Sequence, residues 1–369
     1  DKIIYNDGSD EIHDAVANLS TTTIATSGAA TITGALTSGA GGTIGATGTA
    51  TTLAGIPFFS DTGNSSIYTH DVSSTDDTAS QNAAYGIGAL DAITTGDHNT
   101  AIGMGALGAN TTGSRNVALG RVALDAPDTE NDNLAIGYNA LAGTIAGGEY
   151  NVAIGNYTLD ALTSGDNNVA IGYQAGSAVT TGSAIIAVGE GALKANTTGS
   201  RNVGVGSGAL ETITTGDDNI GIGHDALNDV TTASHNIAIG SYSGDSISTG
   251  TQNTLVGYLS GAAITTSNNN TVLGSSALLA NTTGGQNVAI GSDALNDNTT
   301  ASSNTAVGHN SLAKNTTGTG NTTVGAYSLD ANTTADYNTA MGYNAGTAVT
   351  TGAENVIIGA SAGAALTEG

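Results

Sequence analysis

Three kinds of residue in this chain have types and spacings that chemistry uses. Gly103, Gly105 and Gly108 spell G-x-G-x-x-G, which cradles a dinucleotide pyrophosphate when a strand precedes it and a helix follows. Carboxylates recur in polar stretches at Asp97, Asp166, Asp217, Asp218 and Asp336, and oxygen ligands of this kind hold Ca²⁺. Asn-x-Thr triplets begin at Asn110, Asn196, Asn281 and Asn315, the acceptor pattern for an N-linked glycan.

Each signal weakens on inspection. The chain holds 55 glycines and no helical pattern follows Gly108, so the dinucleotide motif is a coincidence of composition. The acids lack the G-G-x-G-x-D pattern of calcium rolls, and Asn-Thr-Thr is also ordinary turn chemistry. The six histidines (His13, His70, His98, His224, His235, His309) form no close pair and no H-x-H. Paired carboxylates can cleave glycosidic bonds, but such sites need loops that break regularity, and this chain is regular. Stacked Thr-Thr pairs suggest an ice-binding face, yet adjacent residues point to opposite sides, leaving one Thr per coil outside. The expectation is therefore no catalytic residue, no cofactor and no metal site, with Ca²⁺ the one ion the turns could accept, and no enzyme.

Composition narrows the partners. Six basic residues face 31 acidic ones, a net charge of −25, which excludes nucleic acid and an anionic membrane surface as partners. Spread through the turns, the charge serves solubility. Cysteine is absent, so no disulfide or thiolate site exists, a state compatible with extracellular life. No run of 18 apolar residues is present, and membrane insertion is not expected. The chain begins at Asp1 without Met or a basic-then-apolar leader, and the last coil stops two residues short, so both ends read as cut.

What must position any of these residues is a repeat. A five-residue phrase (Asn, a β-branched or small residue, a small residue, a large apolar residue, Gly) occurs 17 times from Asn82 to Gly359. Its spacing is 17 residues at every step but one, Asn133 to Asn151, which is 18. Asn99, Gly103, Asn116, Gly120, Asn168, Gly172, Asn287 and Gly291 are representative structural positions, and Ile185 is the one place where the Asn is replaced. Such periodicity predicts an all-β parallel solenoid, or β-roll. Four segments follow: 1–19, a linker or short helix; 20–56, a Thr/Ala/Gly-rich trimeric β shaft; 57–81, a transition or collar around Pro57, Phe58 and Phe59; and 82–369, the solenoid.

Counting the Asn as position zero, period-two alternation puts positions one and three (Val117, Ile102, Ile171) on one face and position two (Ala101, Gly204) on the other. The large residues are expected inside. The small ones are expected outside, where another copy of the chain would pack. Position eight is Leu in 12 coils and Gly in five, returning an apolar group to the interior and predicting two strands and two turns per coil. The Gly at position four suits positive φ or close backbone approach, and the Asn suits a stacked amide ladder. At about 4.8 Å per coil the rod would be about 80 Å long.

A slower rhythm rides on the coils. Tyr173, Tyr258 and Tyr343 recur at position five, 85 residues apart; Tyr242 and Tyr327 at position six and His224 and His309 at position five keep the same interval. Duplication of five-coil blocks accounts for the interval, and periodic ledges for a glycan or protein partner would exploit it.

The phrase NVAIG at Asn151–Gly155, Asn168–Gly172 and Asn287–Gly291 resembles the head repeats of YadA-type trimeric autotransporter adhesins. The longer unit NTAIGMGALGANTTG at Asn99–Gly113 is more similar to arrays in phage tail fibres and virion structural proteins, as is ATITGALTSG at 30–39 to fibre shafts. The resemblance implies left-handed β-rolls packed side by side as a homotrimer, outside the cell, in a virion fibre that presents a host-attachment element. Its implied partners are further copies of itself, other virion proteins and a host receptor or glycan. The second reading is a bacterial surface adhesin. The array lacks the neck, heptad stalk and anchor barrel of those adhesins, and its repeat is longer than theirs, which favours the phage fibre.

Overall fold

A computed structural model describes Thr51–Leu53, Ile56–Asp61, Ser66–Tyr68 and residues 78–367. The chain divides into Asp1–Gly48 and Thr49–Gly369, and all of these residues belong to the second unit. The linker expected at 1–19 and most of the shaft expected at 20–56 lie outside the described residues. Of the expected collar, β2 (Ile56–Asp61) pairs antiparallel with β1 (Thr51–Leu53) and with β3 (Ser66–Tyr68). Ile67 of β3 then joins Ala83 in parallel and starts the stack.

From β4 (Ala83–Tyr85) to β20 (Val356–Ile358) every coil contributes one three-residue strand. Each pairs in parallel with the next at a register of one coil, Thr100 opposite Val117 and Val117 opposite Leu134. The 18-residue step runs from Leu134 to Val152. The chain is a parallel β-solenoid, and no helix forms among the described residues.

Two expectations about the coil are overturned. The faces are reversed: Ala101, Ala118, Ala135 and Ala238 at position two are fully buried, whereas Ile102 and Leu119 at position three are 43% and 44% exposed. The reason is room. Leu193 of one coil already lies against the position-two Gly204 of the next, its Cγ 3.2 Å from where a Cβ would stand. The interior also takes the position-eight Leu, the position-eleven side chain (Ile93, Val179, Ile213) and the repeat Asn, all buried. A cross-section that narrow accepts a methyl group from the strand and pushes the β-branched residues outward.

The second strand per coil is also absent. Leu90, Leu107 and their equivalents at position eight adopt φ between 47° and 55°, and positions six and sixteen are left-handed too. Those angles bend the chain out of an extended path. The return arm is instead held between coils, as by Leu107 N–H donating to the Ala123 carbonyl at 3.1 Å. A left-handed Leu costs roughly 1–2 kcal/mol, and the stacking on both sides holds it there.

Repeat Asn and Gly do distinct jobs. Asn99 Oδ1 accepts the Asn116 backbone N–H at 2.9 Å, and Asn99 Nδ2 donates to the Gly113 carbonyl at 2.8 Å. The same two bonds recur at Asn219 and Asn236. At the exception, Ile185 N–H still donates to Asn168 Oδ1 at 3.1 Å. Gly103 has φ 135°, and a Cβ there would collide with the Gly120 carbonyl of the next coil, so no other residue fits.

The longer coil, residues 133–150, stacks on one that carries an unusual buried acid. Glu130 stands at position fourteen, where most coils carry Gly, and is buried. Its carboxylate accepts the Asp128, Thr129 and Gly147 backbone N–H groups at 3.0, 3.0 and 2.9 Å.

Candidate interaction surface

The reversed faces give the rod an unusual exterior. Val117, Ile102, Leu119, Ile171, Ile186, Ile222, Ile239, Leu273 and Met341 stand outward from strands spread along the stack, forming an aliphatic strip along one side in which Thr takes position one of six coils. Monomeric soluble proteins rarely expose a continuous apolar surface of this kind.

Beside the strip, on the turn that follows each strand, lie three aromatic stacks. Tyr138, Tyr157 and Tyr173 pack edge to face with centroids 5.2 and 6.2 Å apart. His224, Tyr242 and Tyr258 repeat this at 5.2 and 6.4 Å, and His309, Tyr327 and Tyr343 at 5.2 and 6.2 Å. The outer rings Tyr173, Tyr258 and Tyr343 are 48%, 53% and 57% exposed. The 85-residue interval is legible in the sequence but the first stack is harder to see, because a Tyr replaces His at its first place and the 18-residue coil puts that Tyr138 one residue earlier than the interval from His224 predicts. Counting from the repeat Asn puts Tyr157 at position six, beside its counterparts Tyr242 and Tyr327.

The other candidate residues are occupied in holding the coils together. Asp97, Asp217 and Asp336 each accept a backbone N–H from the preceding coil, those of Ser80, Ser200 and Thr319, at 2.7 Å. Asp166 accepts the Glu149 N–H at 2.8 Å. Asp218 forms a two-point pair with Arg201 at 2.7 and 2.8 Å, as Asp132 does with Arg115 at 2.6 and 2.7 Å. These pairs hold both carboxyls below, and both guanidiniums above, their ordinary range. Among the described residues no group of three His, Cys, Asp or Glu side chains converges as a metal site would require.

Gly103, Gly105 and Gly108 sit in a turn with no helix after them. His224 Nδ1 lies 3.0 Å from Asp225 Oδ2, His235 Nε2 lies 3.8 Å from Asp218 Oδ2, and His98 is exposed on a turn. His13 and His70 fall outside the described residues. The sequon residues Asn110, Asn196, Asn281 and Asn315 are fully buried, and each donates its amide to a glycine carbonyl three residues on. The folded coil therefore gives an oligosaccharide no access to them. In the Thr-Thr pairs the first hydroxyl donates to the next coil, Thr197 Oγ1 to the Thr214 carbonyl at 3.0 Å, and only the second, such as Thr198, is exposed.

Four carboxyls stand out at position nine. Burial pushes Asp125, Asp160, Asp245 and Asp330 above the usual carboxylate range. Asp160, Asp245 and Asp330 share a coil with the central Tyr of each stack. Oδ1 of Asp160 and of Asp330 is buried without a hydrogen-bond partner, as is Oδ1 of Asn110 and of Asn196.

No protein-family model, curated protein or solved structure matches this chain. No helix among the described residues is long and apolar enough to cross a membrane.

Proposed function

We propose that the chain is the shaft of an extracellular homotrimeric fibre, a virion appendage of the phage tail-fibre kind, that holds a host-attachment element away from the particle. The observation that supports this reading is the exposed aliphatic strip on an otherwise uniform stack. At about 4.8 Å per coil and about 10 Å across three strand residues, the strip covers about 800 Å². That is close to the share one partner contributes to a stable interface, about 800 Å². Water contact with so many aliphatic side chains is unfavourable, and another copy of the same strip is the complementary surface always at hand. Three copies turning their strips toward a common axis bury them and leave the acidic turns outside, where like charge opposes sideways growth.

The function is mechanical. Seventeen coupled strands resist bending because each coil is bonded to its neighbours through strand, Asn and Thr ladders. Immunogold electron microscopy with an antibody against the full chain tests the assignment. Labelling of a thin appendage on virus particles is expected, and labelling confined to a bacterial outer surface would transfer the reading to an adhesin.

A further inference from the structure

The strip accounts for self-association and leaves the aromatic stacks without a role. They contain seven of the 12 tyrosines and two histidines, on the coils opened by Asn133, Asn151 and Asn168, by Asn219, Asn236 and Asn253, and by Asn304, Asn321 and Asn338. Ring order is the same in all three: position five, position six, position five.

The central rings are held against a conformational cost. Tyr157, Tyr242 and Tyr327 have φ of 57°, 57° and 58°, a conformation that Gly105, Gly191, Gly208, Asn139, Asn310 and Asn344 take at the same position and that Val122, Gln174 and Leu259 also bear there. Glycine and asparagine take this conformation with little strain, whereas a bulky aromatic pays roughly 1–2 kcal/mol. Folding does not require the ring there, because coils without it stack in the same register. A strained, half-exposed aromatic that the fold can do without points to a ligand.

We propose that the three stacks are platforms for an uncharged, extended polysaccharide lying along the rod. A pyranose presents weakly positive axial C–H groups, which pack on the negative face of an aromatic ring. Its hydroxyls need donors and acceptors at the rim, and Gln174, Asp225, Asn310 and Asn344 stand at position six of the flanking coils. The charge of −25 disfavours sulfated or uronic-acid polymers, leaving neutral sugars as the class that fits. Platforms five coils apart are separated by about 24 Å along the rod, so one polymer can bridge two or three and gain avidity. The first platform is the weakest: Arg121 lies over Tyr138 at 5.4 Å from the ring centroid and donates to its hydroxyl at 3.2 Å. This inference stands on the rings alone and does not depend on the fibre assignment.

Affinity electrophoresis of the full chain through gels containing soluble neutral polysaccharides, a mixed-linkage β-glucan and a dextran among them, tests the proposal. At least one neutral polymer is expected to retard the protein, and alginate is expected to have no effect. The triple variant Tyr173→Ser, Tyr258→Ser, Tyr343→Ser should bind at least tenfold more weakly. It should fold normally, because Ser207, Ser275 and Ser292 occupy the same position in other coils. No retardation by any neutral polymer, unchanged retardation of the triple variant, or retardation by cationic chitosan alone would overturn the proposal.

Discussion

Leu255 fills the space that Gly261 leaves open: a Cβ on Gly261 would stand 3.0 Å from Leu255 Cδ2. The same Leu lies 2.7 Å from where a Cβ on Gly244, one coil earlier, would be. Ile357 does this between Gly346 and Gly363, at 3.0 and 3.1 Å. At these four glycines the Leu lost from position eight is answered by a larger residue at position two, whereas Gly176 has Ala170 in its coil and faces Ile185, which replaces the repeat Asn. The two positions share one interior, and their volumes trade.

That trade predicts a coupled pair. Leu255→Ala empties space that neither glycine can refill and should cost about 2–5 kcal/mol. Gly261→Leu is acceptable to the backbone, since 12 other coils carry a left-handed Leu there, but should overpack by about 1–3 kcal/mol. Combined, they should recover about 1–3 kcal/mol relative to the sum of the single effects, read from urea melts as a double-mutant cycle.

This relationship also shows what was legible in the sequence. Period, strand position and the Asn–Gly frame followed from spacing alone, because every coil repeats them. The faces did not. Alternation says that Ile102 and Ala101 point opposite ways but not which way is in, and the habit of placing large residues inside misled. The signal was present in Leu255 and Ile357, the large residues at position two, which occur in coils with Gly at position eight. The missing second strand was harder to foresee, because a left-handed Leu contradicts ordinary residue preference and is imposed by stacking.

The Asn ladder yields a second test. Asn253 Oδ1 accepts the Asn270 backbone N–H at 3.1 Å, and Asn253 Nδ2 donates to the Ser267 carbonyl at 2.9 Å. Asn253→Ala leaves both buried groups unpaired and should cost about 2–4 kcal/mol. Hydrogen exchange at the Asn270 amide should accelerate accordingly.

A contrast between two buried asparagines follows from their neighbours. Asn110→Val removes an acceptor that has no partner, while the Gly113 carbonyl keeps Asn99 Nδ2 at 2.8 Å, so stability should rise by about 1 kcal/mol. Asn196→Val should be neutral or destabilising. Its Nδ2 donates to the Gly199 carbonyl at 2.8 Å, and Ile185 stands where a repeat Asn would supply a second donor. Paired thermal melts distinguish the two.

The position-nine carboxyls set a pH dependence. Asp125, Asp160, Asp245 and Asp330 have folded pKa values raised by burial, so the folded chain binds more protons than the unfolded chain at mildly acidic pH. Stability must fall as pH rises through that window. Asp132 and Asp218 are shifted the other way, and their contribution is lost only at and below the ordinary carboxylate range, but both are surface pairs and count for little. Tm should therefore be higher near pH 4.5, about half a unit above the ordinary Asp pKa, than at pH 7. Asp160→Asn, Asp245→Asn and Asp330→Asn together should raise the neutral-pH Tm and flatten the profile.

Light scattering of the full chain reads directly whether the aliphatic strip joins copies of it. The expected mass is three times the 35.7 kDa of one chain, falling to a single chain in the Ile222→Asp, Ile239→Asp variant, whose substitutions face outward from successive coils. A wild-type protein that scatters as a 35.7 kDa monomer while keeping its β circular dichroism would mean that the strip does not join copies.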